Sequence, residues 1–264
     1  MISPTERMIA EVDGPIGWLV FNNPSRRNAV SLDMWQAIPE ILDAYERDPA
    51  VRVIVLKGAG DKAFVSGADI SEFEKNRSSP EAVARYEEIG TRAQSRIQNS
   101  PKPTIAMIHG FCMGGGVGVA LACDLRIASE SAQLGIPAAK LGIGYRLSGL
   151  AKLLELVGPA YAKEIFYTAR RFTAAEAHGM GLLNRVLPDA ELDGFVRSYC
   201  TMIGENAPLS LAATKGIVAE LTKLPPHVDR DHCEELVKAC FNSEDYIEGR
   251  RAFMEKRKPV FKGR

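Results

Sequence analysis

The chain has 264 residues, of which 46% are hydrophobic and 25% charged, and its formal net charge at neutral pH is zero. A balanced charge gives no support for a surface that binds nucleic acid or an anionic membrane. No apolar run reaches the roughly 18 residues that a membrane-spanning helix needs, and the first residues lack a signal-peptide core. Five cysteines without a CxxC pair indicate reduced thiols. We therefore expect a cytoplasmic protein without a metal site.

The first part of the chain alternates short apolar runs with helical patterns. Residues 8–22 predict a β-hairpin around the turn DGPIG. Ser31 is a candidate cap for a helix that contains Pro39, where we expect a kink or an early end. A buried strand over 51–57 and an amphipathic helix over 81–99 follow.

The central stretch, residues 103–129, reads as strand, glycine turn, buried helix and strand. The turn contains Gly114, Gly115 and Gly116, and the helix covers 117–122. This order points the first N–H groups of a helix at whatever lies above the turn, and glycines let another group approach the main chain. We interpret the turn as a site for a negatively charged oxygen. The alternative is a tight turn that feeds a buried helix and has no chemical role.

A second tight turn covers Gly67 to Asp69 and opens toward a helical start at Ile70. Strands alternate with helices as far as residue 187, and helical patterns alone fill the rest of the chain. That order predicts an α/β core over 1–195 with a C-terminal all-helical region over 196–264.

Several short motifs are spread over nearly the whole chain. They are Asn23-Pro24 with Asn28-Ala29, FVSGADI at 64–70, HGFCMGGG at 109–116, Ala122-Cys123-Asp124, Gly179-Met180-Gly181-Leu182 with Arg185-Val186, and EKRK at 255–258. Together these motifs resemble those of the crotonase superfamily, the enoyl-CoA hydratase/isomerase family. The resemblance implies a crotonase-like core of stacked β-β-α turns, a superhelix, with C-terminal helices that trimerise. We therefore expect a homotrimer or a dimer of trimers.

The resemblance also implies the chemistry of the site. Members of this family stabilise a thioester enolate with two main-chain N–H donors, which by position are Ala68 and Gly115. The implied substrate is an acyl-CoA of fatty-acid metabolism, with CoA as part of the substrate and no separate cofactor. The resemblance implies substrate or CoA contacts at Arg26, Arg27, Ala29, Ser66, Ile70 and Met113, and at Phe253 and Lys256 of a neighbouring subunit. For the charged loop and the C-terminal helix, ordinary solvated side chains are the alternative.

Two positions depart from the family pattern. Hydratases of this family carry two glutamates that hold and activate water, and this chain has Gly118 and Ala138 at those positions. Water addition needs a general base and a general acid. Neither residue can move a proton, so the sequence disfavours ordinary hydration.

Decarboxylation of a malonyl-type CoA is the favoured reaction, because loss of CO2 forms the enolate without a base. The segment from Gly142 to Tyr145, followed by Arg146, is similar to the G-x-x-Y pattern of methylmalonyl-CoA decarboxylase in this family. We expect Tyr145 to orient a carboxylate or donate a proton, and Arg146 to pair with a carboxylate. A packing aromatic and a surface cation are the respective alternatives.

Other functions stay open from the sequence. The chain could be a hydratase or isomerase that uses other acid and base groups, including a route in which bound bicarbonate replaces the second glutamate, as in dihydroxynaphthoyl-CoA-synthase-like relatives. It could also be a non-catalytic acyl-CoA-binding protein or a purely structural trimer. Turnover and binding of CoA thioesters distinguish these functions.

Overall fold

The computed structural model describes residues 3–69, 80–145, 147–223 and 227–264. The predicted site residues Ile70 and Arg146 lie outside these ranges, as does the predicted helical start at Ile70. None of the helices in these ranges combines the length and the apolar character of a membrane span.

The described chain forms short strands and longer helices. The strands are β1 (Met8–Asp13), β2 (Ile16–Phe21), β3 (Val53–Gly58), β4 (Ala63–Val65), β5 (Thr104–Ile108), β6 (Phe111–Met113), β7 (Leu125–Ser129), β8 (Gln133–Gly135), β9 (Phe172–Thr173) and β10 (Arg185–Leu187). The helices are α1 (Leu32–Arg47), α2 (Pro80–Gln98), α3 (Gly115–Ala122), α4 (Leu147–Thr168), α5 (Ala174–Gly179), α6 (Leu192–Gly204), α7 (Pro208–Leu221), α8 (Arg230–Phe241) and α9 (Glu244–Met254).

The strands form two sheets, and the chain passes from one sheet to the other several times. One has six strands in the order β1-β2-β3-β5-β7-β10, and the other has four in the order β4-β6-β8-β9. Neighbours are parallel except in the β1–β2 hairpin and the β8–β9 pair. The successive pairs β3–β4, β5–β6 and β7–β8 each give one strand to each sheet, and a helix follows each pair. This confirms the predicted crotonase-like α/β core and the hairpin.

Apolar side chains fill both faces of the larger sheet. Phe21, Tyr45 and Phe64 belong to the core between the sheets and their helices. On the other face, Leu192 and Val196 of α6 pack against the sheet. Because α6 spans the predicted division between residues 195 and 196, that division lies within one helix, and the domain boundary stays a prediction.

The start of α1 differs from the expectation in its details. Ser31 occupies the cap position, but it makes no side-chain bond to a backbone N–H. Its hydroxyl instead donates to the carboxylate of Asp33. The helix also continues beyond Pro39 as far as Arg47. The predicted cap bond and the early end were therefore wrong, because the bond to Asp33 sets the orientation of the Ser31 side chain and the packing of the helix on the core outweighs the proline.

Candidate active site

Backbone hydrogen bonds hold the first predicted turn against a neighbouring loop. The Val30 N–H donates to the Gly67 carbonyl at 2.8 Å, and the Asp69 N–H donates to the Val30 carbonyl at 3.0 Å. Gly67 has a φ of 118°, which favours glycine. Both bonds use the neighbours of Ala68. Its own N–H donates to no group in the described part of the chain.

The second turn places the start of α3 against β4. Gly114 has a φ of 51°, and its N–H donates to the Gly135 carbonyl at 2.8 Å. The N–H of Gly115 opens the helix and has no acceptor within it, nor does it donate to any other described residue. A Cβ on Gly116 would lie 2.1 Å from the Val65 carbonyl oxygen. Only glycine therefore allows this close approach of helix and strand.

The two turns meet at one point of the molecule. A Cβ built on Gly115 would lie 3.7 Å from the backbone nitrogen of Ala68. Each of the two residues has a backbone N–H without an acceptor among the residues that the structure describes, and the start of a helix carries a partial positive charge. Such an arrangement can donate hydrogen bonds to an anionic oxygen, which is what an enolate presents.

The arginine loop lies beside the first turn. The Ser66 N–H donates to the Arg27 carbonyl, and the Ser66 hydroxyl donates to the Arg26 carbonyl, both at 3.1 Å. Both arginine side chains are exposed, and Ala29 is buried. The Arg27 guanidinium carbon lies 4.9 Å from the centre of the Phe111 ring. The structure thus brings these predicted contact residues together at the edge of the turn.

Met113 lies between the two turns. Its carbonyl oxygen is 3.5 Å from the Cβ position of Gly67, and its methyl group is 3.1 Å from that of Gly135. The side chain is half-buried. The structure therefore places this predicted contact residue next to the unbonded amides.

Tyr145 lies in the segment that follows Ala138. The Ile143 N–H donates to the Ala138 carbonyl at 3.0 Å, which ties the segment to that position. The Tyr145 ring packs edge-on against Phe166 at 4.8 Å between ring centres. Its hydroxyl bonds to no group among the described residues, and burial raises the pKa of the phenol. The phenol therefore keeps its proton and has a free hydrogen-bonding capacity.

The resemblance placed the two hydratase glutamates at Gly118 and Ala138, an assignment that stays a prediction. Gly118 is one helical turn beyond Gly115, and a Cβ on it would lie 3.0 Å from Nε2 of Gln94. Ala138 is buried and follows shortly after Gly135, whose carbonyl accepts the bond from the turn.

Sequence reasoning missed Gln94. It interpreted the segment only as part of an amphipathic helix, and no motif marks the residue. Its spacing of four residues from Gly90 and three from the buried Ile97 places all three on one face of α2. That period was the available signal for a polar residue on the inner side of the helix.

The predicted contacts from the C-terminal region are exposed in the single chain. Phe253 is 83% exposed, and Lys256 follows the end of α9. The last residues fold back onto this helix, with the Asp245 carboxylate accepting the N–H groups of Lys262 and Gly263 at 2.7 Å each. The contact of Phe253 and Lys256 with a neighbour's CoA stays a prediction.

The described residues near the glycine turn do not favour a thiol nucleophile or a metal ion. The thiol of Cys112 is fully buried, and burial raises its pKa well above the ordinary value. This disfavours a thiolate nucleophile. Within the ranges that the structure describes, no group of three or more His, Cys, Asp or Glu side chains could hold a metal ion.

Known proteins share both the sequence and the fold. The sequence profile "Enoyl-CoA hydratase/isomerase" matches residues 11–264. The chain belongs to the enoyl-CoA hydratase/isomerase family. One relative in this family, the crotonyl-CoA hydratase of Syntrophomonas wolfei, is 36% identical over 97% of this chain and 98% of its own length.

Further members of the enoyl-CoA hydratase/isomerase family support the same assignment. The peroxisomal Delta(3,5)-Delta(2,4)-dienoyl-CoA isomerase of Arabidopsis thaliana is 36% identical over 94% of this chain and 93% of its own length. The crystal structure of a family protein from Hyphomonas neptunium covers all of both chains with a TM-score of 0.93 and 37% identity. The protein is thus a crotonase-fold enzyme of acyl-CoA chemistry.

Proposed function

We propose that this protein stabilises the enolate of an acyl-CoA thioester with the backbone N–H groups of Ala68 and Gly115. The observation that carries the proposal is the closeness of two backbone amides that have no acceptor within the described ranges, with 3.7 Å between the Cβ position of Gly115 and the Ala68 nitrogen. A thioester oxygen between these donors becomes an anion as the enolate forms. Each donor then contributes roughly 3–4 kcal/mol to the stability of the transition state.

The reaction that fits this site best is decarboxylation of a malonyl-type thioester. The bond between the α-carbon and the carboxylate breaks, its electron pair enters the enolate, and CO2 leaves. A proton then adds to the α-carbon. No base is needed, which agrees with Gly118 and Ala138, neither of which carries a titratable side chain.

Tyr145 is the candidate group that orients the substrate carboxylate or donates the final proton to the α-carbon. Its hydroxyl has no partner among the described residues, and burial raises the pKa of the phenol. The phenol therefore stays protonated at neutral pH and can donate to a carboxylate or to an α-carbon. Arg146 pairs with the carboxylate in this proposal, on the sequence pattern alone.

The CoA portion is assigned to residues around the first turn and to a neighbouring subunit. Arg26 and Arg27 are exposed beside Ser66 and suit the phosphates of CoA. A homotrimer or a dimer of trimers would bring Phe253 and Lys256 to the adenine end. Exposed apolar side chains on the described C-terminal helices support such association, namely Phe241, Ile247, Phe253 and Met254. We propose a cytoplasmic location and no cofactor beyond CoA itself.

Hydration or isomerisation of an enoyl-CoA is the second candidate. It is favoured by the names of the relatives, which include a crotonyl-CoA hydratase and a dienoyl-CoA isomerase. It would require titratable groups other than those at positions 118 and 138.

Incubation with methylmalonyl-, ethylmalonyl- and crotonyl-CoA distinguishes the candidates. We expect CO2 release from a malonyl-type thioester and slow or no hydration of crotonyl-CoA. Fast hydration without CO2 release would replace decarboxylation with the second candidate. Tight acyl-CoA binding in calorimetry, without turnover of any thioester, would instead indicate a binding protein.

A further inference from the structure

The volume beside Gly118 is occupied by the end of another side chain. Helix α2 packs against α3, and Gln94 of α2 reaches toward this position. A Cβ on Gly118 would lie 3.0 Å from Nε2 of Gln94 and 3.5 Å from both its Oε1 and its Cδ. The absence of a side chain at 118 therefore leaves space for the carboxamide of Gln94.

This carboxamide lies next to the unbonded amides. Residues three apart on a helix lie on one face, with roughly 5–6 Å between their Cβ positions, so Gly118 and Gly115 share a face of α3. The Cβ position of Gly115 faces Ala68, and that of Gly118 faces Gln94. Gln94 is half-buried, and its carboxamide makes no hydrogen bond to any residue that the structure describes. A polar group in this state can gain a hydrogen bond from a ligand.

We propose that Gln94 is a substrate-contacting residue whose Nε2 donates a hydrogen bond to the carboxylate of a malonyl-type acyl group. This inference rests on the proposed decarboxylation. A carboxamide suits the role because it donates without transferring a proton. The substrate carboxylate then stays ionised, as it must be when the bond to the α-carbon breaks and CO2 leaves. A glutamate at the same place would instead repel it.

Binding of two acyl-CoA thioesters tests the contact directly. Methylmalonyl-CoA carries the carboxylate, and propionyl-CoA is the same thioester without it. Calorimetry compares the wild type with Gln94→Met, which keeps length and volume, with Gln94→Glu, which adds a charge, and with Gln98→Met. The last is a matched control one helical turn away on α2.

We expect Gln94→Met to weaken binding of methylmalonyl-CoA roughly 10-fold or more and to change binding of propionyl-CoA less than about twofold. Gln94→Glu should weaken binding of methylmalonyl-CoA further, because two carboxylates would face each other. Gln98→Met should leave both affinities unchanged. Retained propionyl-CoA binding also reports that each variant is folded.

The outcome separates this inference from the proposed function. Parallel losses for the two thioesters, or no loss for either, would overturn the role of Gln94. Absence of CO2 release by the wild type would overturn the decarboxylation itself. The binding comparison requires no turnover, so the two failures are distinguishable.

Discussion

The side-chain position of Gly115 faces the backbone nitrogen of Ala68 at 3.7 Å. A methyl group there would make an ordinary van der Waals contact, and the backbone of Gly115 is not in the left-handed region. It would nevertheless occupy space between Gly115 and the Ala68 nitrogen. The relationship therefore allows a substitution that spares the fold and blocks the proposed site.

Gly115→Ala should remain folded and lose activity. We expect kcat for CO2 release to fall roughly 100- to 1,000-fold, because a methyl group that keeps the thioester oxygen away from the donors should cost about as much as the loss of one oxyanion donor. Steady-state kinetics and the thermal unfolding midpoint measure the two effects. An unchanged kcat would remove this pair of amides from the mechanism.

Gly116→Ala should destabilise the fold, unlike Gly115→Ala, because its methyl group would lie 2.1 Å from the Val65 carbonyl oxygen. Backbone atoms must move to accept it, so we expect a loss of about 1–3 kcal/mol in the free energy of unfolding. Urea unfolding of this variant beside Gly115→Ala provides the matched comparison. Equal stability of the two variants would contradict the packing of α3 on β4.

Tyr145→Phe should retain stability, because the ring contact with Phe166 at 4.8 Å remains. Loss of the hydroxyl should lower kcat about 100-fold if the phenol donates a proton. A change in KM alone would assign the hydroxyl to binding. Equal kinetics in variant and wild type would reduce the tyrosine to a packing residue.

The pH dependence of kcat follows from the same residue. Burial raises the pKa of the Tyr145 phenol above its ordinary value of 10.0. A group that acts as a proton donor loses activity as pH rises through its pKa. We therefore expect any alkaline decline of kcat from this group to have its midpoint above pH 10.0. Comparison of the kcat–pH profiles of the wild type and Tyr145→Phe measures the contribution of the tyrosine. A decline near pH 8 that is present only in the wild type would contradict a raised pKa of the phenol.

Three thiols should resist modification in the native protein. Cys112, Cys123 and Cys200 are buried, and burial raises the pKa of the Cys123 and Cys200 thiols to about 12. We expect a thiol-reactive disulfide at pH 8 to leave these three unmodified, and to modify all five cysteines only after unfolding. Mass spectrometry of digested protein identifies each site. Rapid modification of Cys112 would contradict its place in the core.

Local patterns predicted much of the fold. The hairpin, the strand before the glycine turn and the α/β order follow from apolar periodicity and turn residues. The cap bond predicted for Ser31 was wrong, because its hydroxyl is oriented to donate to the Asp33 carboxylate and its oxygen accepts no backbone N–H. Gln94 was missed because its proposed role depends on α3, a helix that packs against α2 and comes later in the chain.

The sequence by itself determined where the backbone could turn and which faces had to be buried. Glycine favours the positive φ of Gly67 and Gly114, and glycine alone allows the close approach of Gly116 to β4. Only the tertiary structure decided that the amide of Ala68, which has no acceptor in the described part of the chain, meets the start of α3, and that Gln94 fills the space beside Gly118. These are contacts between segments distant in the chain, and stacked sheets and packed helices set them. No local spacing rule encodes those distances.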